Sequence, residues 1–149
     1  MKTRLAIITV VMACSFPMLP ATADEAATIA EIKSAVLKID KAYADKNVST
    51  IKRMILPDQV SIATRYGGAA SPDAQIKALE HQKRKHFDYS SMDVELLSPT
   101  IALITFEKSV SGTYEATYFP PRVFVSEIWL RKEGRWRQRL YQETQIKKQ

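Results

Sequence analysis

The chain has 149 residues, 46% hydrophobic and 26% charged, with 7 Pro and only 4 Gly, a balance that fits one globular domain and excludes a disordered or collagen-like chain. A chain of this length buries roughly 70% of its unfolded surface, so its core needs neither metal nor disulfide to hold it. The formal net charge is +6, and the single cysteine is Cys14.

Lys2 and Arg4 precede an apolar run from Leu5 to Phe16; Pro17, Pro20 and the small residues Ala21-Thr22-Ala23 then lead into Asp24-Glu25. This order predicts a signal peptide over residues 1–23, cleaved after Ala23, and one mature domain over 24–149. The run is shorter than the roughly 20 apolar residues of a membrane-spanning helix, so no transmembrane segment is expected. An alternative takes Val11-Met12-Ala13-Cys14 as a lipobox, which leaves a lipoprotein anchored at Cys14. Cleavage after Ala23 removes the cysteine with Lys2 and Arg4, so the net charge falls by two. A cysteine-free chain suits a secreted or periplasmic protein and excludes thiol catalysis and Cys-ligated zinc.

From Asp24 to Asp45, the residues Ile29, Ile32, Val36, Ile39 and Tyr43 step by three and four and predict one long helix. Asn47 caps a short second helix carrying Val48, Ile51 and Ile55, which Pro57 stops. Val60, Ile62, Thr64 and Tyr66 alternate along a strand from Gln59 to Tyr66, ended by Gly67-Gly68. Ser71-Pro72-Asp73 starts a third helix, expected to run to Phe87 with Ile76, Leu79, Lys83 and Phe87 inward. Four strands follow: around Val94 and Leu96, Ile101 to Val110, Val123 to Arg131, and Arg135 to Gln145, with Gly112 to Pro121 as a connection. With the helices early and no βαβ alternation, the fold class is α+β, a curved and mostly antiparallel sheet with three helices on one face.

Glu133-Gly134 forms a two-residue turn, which pairs Arg131 with Trp136, Trp129 with Gln138, Glu127 with Leu140 and Val125 with Gln142. One face then holds Val125, Glu127, Trp129, Trp136, Gln138, Leu140, Gln142 and Thr144, and the other Phe124, Ser126, Ile128, Leu130, Arg137, Arg139, Tyr141 and Glu143. The arginines must reach water, so the first face is assigned to the interior.

Ser126-Glu127-Ile128-Trp129-Leu130-Arg131-Lys132-Glu133-Gly134-Arg135-Trp136-Arg137, with Gln142-Glu143-Thr144 after it, resembles the C-terminal hairpin of the SnoaL-like branch of the nuclear transport factor 2-like superfamily. Ala42-Tyr43-Ala44-Asp45-Lys46-Asn47 resembles the end of that family's first helix, with Asn47 where an Asp is usual. The resemblance implies a cone whose curved sheet wraps around the long first helix and leaves a pocket at its open end. Relatives of this kind include ketosteroid isomerase, polyketide cyclases and dehydratases, so it does not fix a function. Catalytic relatives carry His or Asp at pocket-facing positions of the last strand; the matching residues here are Leu140 and Gln142.

Glu127 is the candidate catalytic residue: beside Trp129, Val125 and Leu140 it is desolvated, its pKa rises, and it suits a general base. Tyr43 and Tyr66 are candidate hydrogen-bond donors to a ligand, Trp129 a candidate wall, and Gln138 and Gln142 candidate polar contacts. Structural roles compete at each position. His81 and His86 are five apart and do not make the i, i+4 pair of a helical metal site, so no metal or cofactor is expected. Glu80, Glu133 and Glu143 interrupt the basic clusters at Lys83-Arg84-Lys85 and Arg131 to Arg139, which argues for a solvated surface and against nucleic acid. The expected activity is binding of a small, partly apolar ligand in a pocket, without catalysis. Alternatives are a proton-transfer enzyme using Glu127, and a protein-interaction module. Phe124, Ile128, Leu130 and Tyr141 on the outer face predict a homodimer through the sheet.

Overall fold

The computed structural model describes residues 23–147. Residues 1–22, with Cys14, lie outside the described residues, and the expected cleavage point after Ala23 falls at the first residue of α1. Helix α1 (Ala23–Ala44) buries Ile32, Val36, Ile39 and Tyr43, as the spacing predicts, and also Asp40. Helix α2 (Val48–Met54) begins at Asn47, whose side-chain oxygen accepts from Thr50 N at 3.0 Å.

Strand β1 (Ile55–Ala63) starts four residues earlier than the alternation suggests, and Thr64–Tyr66 form a single 3-10 turn in place of its expected end. Pro57 falls where the ladder to the last strand is interrupted, between Ile55 and Val60, so its missing N–H costs no pairing. The facing is also the reverse of a hydrophobic expectation. Gln59, Ser61 and Ala63 are buried, while Ile62 is 39% exposed.

After the short β2 (Gly68–Ala70), Ser71 caps α3 (Pro72–Ala78) by accepting from Ala74 N. The third helix does not reach Phe87. It ends in a 3-10 turn, Leu79–His81, and Gln82–Tyr89 is strand β3. The reason is long range: β5 (Ile101–Tyr114) needs a partner along its second half, and β3 supplies it antiparallel from Tyr89↔Lys108 to Gln82↔Tyr114. Pairing those backbone groups outweighs a local helical spacing. The two histidines therefore share no helix.

Strands β4 (Asp93–Ser98), β6 (Thr117–Tyr118), β7 (Arg122–Lys132) and β8 (Arg135–Gln145) complete one curved sheet in the order β2-β1-β8-β7-β5-β3, with β4 and β6 also on β5. The fold is the expected α+β cone with three α-helices; β1 and β8 run parallel, and the other pairs are antiparallel. The inner face of β5 and β7 presents Ala102, Ile104, Phe106, Val123, Val125 and Trp129 to α1, forming the core.

The hairpin register holds from Lys132↔Arg135 to Trp129↔Gln138 and then shifts. Ile128 pairs with Leu140, so Arg139 is an extra residue, a bulge that reverses the facing of the rest of β8. Glu127 pairs with Tyr141 and Val125 with Glu143, which puts Tyr141 and Glu143 inside. Gln142 is exposed and Leu140 half-buried on the outer side. A turn fixes register only as far as the next bulge, which is why the expected facing fails here.

Strand β3 has the same device. The ladder shifts between Arg84 and His86, so Lys85 is the extra residue and Arg84, Phe87 and Tyr89 all belong to the inner face. Gly112, opposite Arg84, has φ 141°, and a Cβ there would lie 1.9 Å from the Lys83 carbonyl oxygen. Only glycine allows β3 and β5 to approach this closely.

Candidate functional site

The interior of the cone is polar at one end. Asp40 and Tyr43 enter it from the last turns of α1, Gln59 and Ser61 from β1, Gln75 from α3, Arg84 from β3, Lys108 from β5, Glu127 from β7, and Gln138 and Tyr141 from β8. The Tyr43 hydroxyl donates to Gln75 Oε1 at 2.8 Å, Gln75 Nε2 donates to Gln59 Oε1 at 2.6 Å, and Gln59 Nε2 donates to Gln138 Oε1 at 3.0 Å. Gln75 is fixed further by donating to Ala70 O at 3.1 Å. Gln138 and the Trp129 indole N–H both serve Glu127, whose carboxyl they stabilise in its charged form. Four of the sequence-predicted residues, Tyr43, Glu127, Trp129 and Gln138, thus belong to one hydrogen-bonded chain. Gln142 is outside it, on the solvent side of β8. Tyr66 lies apart, its ring 4.6 Å below the Arg65 guanidinium and its buried hydroxyl without a partner.

Charges gather around this chain. Lys108 Nζ donates to both oxygens of Asp40, at 3.0 and 2.9 Å, and the Tyr89 hydroxyl donates to Oδ2 at 3.0 Å. Burial alone would raise Asp40, but Lys108 and Arg84 outweigh it and hold the carboxyl below its ordinary value. Arg65 pairs with Glu143 at 2.7 Å, both nearly buried, and Tyr141 donates to Glu143 at 2.6 Å. Burial opposes Glu143 ionisation too, and Arg65 again reverses it. Glu127 goes the other way. Burial, reinforced by the charge of Asp40, pushes it up to about 7 despite the Trp129 and Gln138 hydrogen bonds. Burial raises the Tyr43 hydroxyl, keeping it a donor.

Two open spaces border Arg65. A niche of about 10 Å³ is walled by Ile39, Asp40, Tyr43, Ser61, Arg65, Gln75, Arg84, Gln138 and Tyr141, room for about one water. Glu127 is not on that wall; it stands one hydrogen bond behind Gln138. At the mouth of the cone a cleft of about 460 Å³ is lined by Thr64, Arg65, Tyr114, Tyr118, Phe119, Pro120 and Gln145, among others, and Arg65 borders both spaces.

Sequence reasoning missed Asp40, Gln59, Gln75, Arg65, Arg84 and Lys108. Asp40 and Lys108 carried a signal. Asp40 follows Val36 by four on the apolar stripe, and Lys108 continues the inward alternation of Ala102, Ile104 and Phe106. The basic run Lys83-Arg84-Lys85 points Arg84 to solvent, whereas beside the β3 bulge its side chain is buried.

No family model matches the chain, and no curated protein matches it in sequence. Its fold is that of solved NTF2-like proteins. An NTF2-like protein from Cytophaga hutchinsonii superposes with a TM-score of 0.71 at 14% identity, covering 77% of this chain and 95% of that one. An NTF2-like protein of unknown function in nutrient uptake from Rhodospirillum rubrum gives 0.70 at 15% identity, covering 78% and 98%. The association domain of C. elegans CaMKII gives 0.70 at 16% identity, covering 83% and 99%. Among the described residues no helix is long and apolar enough to cross a membrane.

Proposed function

We propose that this is a secreted or periplasmic member of the SnoaL-like branch that binds a small, partly apolar ligand at the mouth of the cone. The observation carrying this reading is the position of Arg65, shared by the aromatic-lined cleft and the polar niche. A ligand lying there has an apolar surface against Tyr114, Tyr118 and Phe119 and a polar end toward the interior, the mixture on which small-molecule sites are built. Thermal melts of the mature chain against a panel of neutral and charged aromatic compounds test it. At least one compound raises the melting temperature, and Thr117→Trp, which fills the cleft, removes the shift. A panel with no shifts overturns the reading.

Proton transfer is the second reading, favoured by a Glu127 poised near neutrality. The inner positions of the last strand hold the ionisable Tyr141 and Glu143 in place of the expected Leu140 and Gln142. Binding ranks first because Glu127 does not reach the niche wall. In an active enzyme, Glu127→Gln would abolish turnover and keep the fold.

The outer face supports self-association. Val60, Leu140, Ile128 and Leu103 are successive register partners across four strands and form one apolar row, and Phe124 is 43% exposed nearby. Tyr141 does not belong to this face, since the β8 bulge takes it inside. The likeness to an association domain points the same way.

A further inference from the structure

We propose that Arg65 and Arg84 form the anion-recognising end of the ligand site, that the ligand is a small aromatic or apolar carboxylate, and that the Phe119 ring holds its place in the empty protein. This rests on the cleft reading above and names the chemistry of its ligand.

The two guanidiniums are almost entirely buried, and both border the niche. Arg84 is poorly matched. Its Nε donates to Gln82 Oε1 at 2.9 Å, but Nη1 stands 4.0 Å from Asp40 Oδ1, too far for a hydrogen bond. The Asp40 oxygens instead accept at hydrogen-bond distance from Lys108 and Tyr89. Arg65 donates from Nη1 to Glu143, while its Nε is buried with no partner. An unsatisfied buried donor on a guanidinium, as at Arg65 Nε, is costly, and a carboxylate is the group that answers it while also accepting from Arg84. Charge points the same way. Arg65, Arg84 and Lys108 face Asp40 and Glu143, with Glu127 only partly ionised near neutral pH, so the interior has room for one more negative charge.

A carboxylate does not fit a 10 Å³ niche, so something must move. Phe119 is that group. Its ring lies 5.9 Å from the Arg65 guanidinium carbon and 5.7 Å from that of Arg84, a cation–π position over both. It sits on the short connection between β6 and β7, held by its N–H donating to Gly112 O at 3.1 Å and followed by Pro120-Pro121. Phe119 is 8% exposed while the preceding Tyr118 is 81% exposed, so the one connection lines the cleft with a buried ring and an exposed one. With the ring swung outward, an aromatic ligand takes its position and places a carboxylate between the guanidiniums.

Titration calorimetry of the mature chain with benzoate and with benzamide tests this, because the two share a ring and differ in charge. Benzoate binds at least tenfold more tightly than benzamide, Phe119→Ala tightens benzoate severalfold, and Arg84→Lys, which keeps the charge but loses the fork, weakens it at least tenfold. Equal binding of the two probes overturns the anion site and leaves the cleft reading standing. No binding of either probe, to the unaltered chain or to a folded Phe119→Ala, also overturns the anion site, and the cleft reading falls with it only if the panel melts show no shift. Weaker benzoate binding in Phe119→Ala makes the ring part of the wall and removes its place-holding role. Comparing the probes on the unaltered chain decides the anion question even if a variant does not fold.

Discussion

Lys108 and Asp40 join the middle of β5 to the penultimate turn of α1 through two hydrogen bonds of 3.0 and 2.9 Å in a fully enclosed setting. Helix and sheet are thereby fixed in relative height as well as packed. Removing one member of a buried pair strands the other, at a cost of roughly 3–5 kcal/mol. Lys108→Met should therefore lower the urea midpoint sharply, and Asp40→Asn should do so as well. The double variant Asp40→Leu/Lys108→Met should recover much of the loss. A double variant as unstable as the two losses combined would show that the pair is not the unit.

Glu127 gives stability an unusual pH dependence. Its folded pKa of about 7 lies above the unfolded value of 4.5, so between these values the folded state holds a proton that the unfolded state has released. Protonation of Glu127 therefore contributes stability that is complete below pH 4.5 and is lost as pH rises through 7, on the order of 3 kcal/mol. Asp40 and Glu143, held below their ordinary values, act in the opposite sense: their contribution is present above the unfolded carboxyl range and is lost as pH falls. Glu127→Gln should melt above the unaltered protein at pH 8 and nearly with it at pH 5. Equal melting shifts at both pH values would contradict the assignment.

Gly112→Ala should cost roughly 2 kcal/mol or more, because the new methyl meets backbone and φ is positive. Amide exchange should quicken in β3 and the second half of β5 before it does in β7 and β8. A near-neutral substitution would mean that the strands separate here at no cost.

What was legible in the chain is the frame. The apolar stripe of α1, the caps Asn47 and Ser71, and the Glu133-Gly134 turn are local signals, each decided by its own few residues. The site was less legible because the residues that make it depend on distant pairing. Arg84 faces inward because β3 needs β5 and bulges at Lys85; Gln59 is buried because it meets Gln75 and Gln138 there. Hydrophobic alternation points Ile62 inward and Gln59 outward, the reverse of what a polar interior demands.

Leu130→Glu addresses the outer face. It lies next to the row of Val60, Leu140, Ile128 and Leu103 and pairs with Ile101. Sedimentation at micromolar concentration should show a dimer that the substitution dissociates without lowering the melting temperature of the monomer. A chain that is monomeric before and after substitution would remove the dimer.

The intact mass of exported protein should begin at Asp24. A diacylated species beginning at Cys14 would replace secretion in free form with membrane anchoring.

The extra residue at Arg139 makes the cone's interior a matter of counting as well as of composition. With Arg139 taken into a regular ladder opposite Ile128 instead of bulging, β8 would keep its length and its turn but rotate everything after Gln138 by half a pleat. Leu140 and Gln142 would then meet Arg65 where Tyr141 and Glu143 do now. The Glu143 carboxylate would leave the chamber through the loss of one bulge, with no side chain replaced. Sequences aligned by identity alone across this point would match residues that face opposite ways.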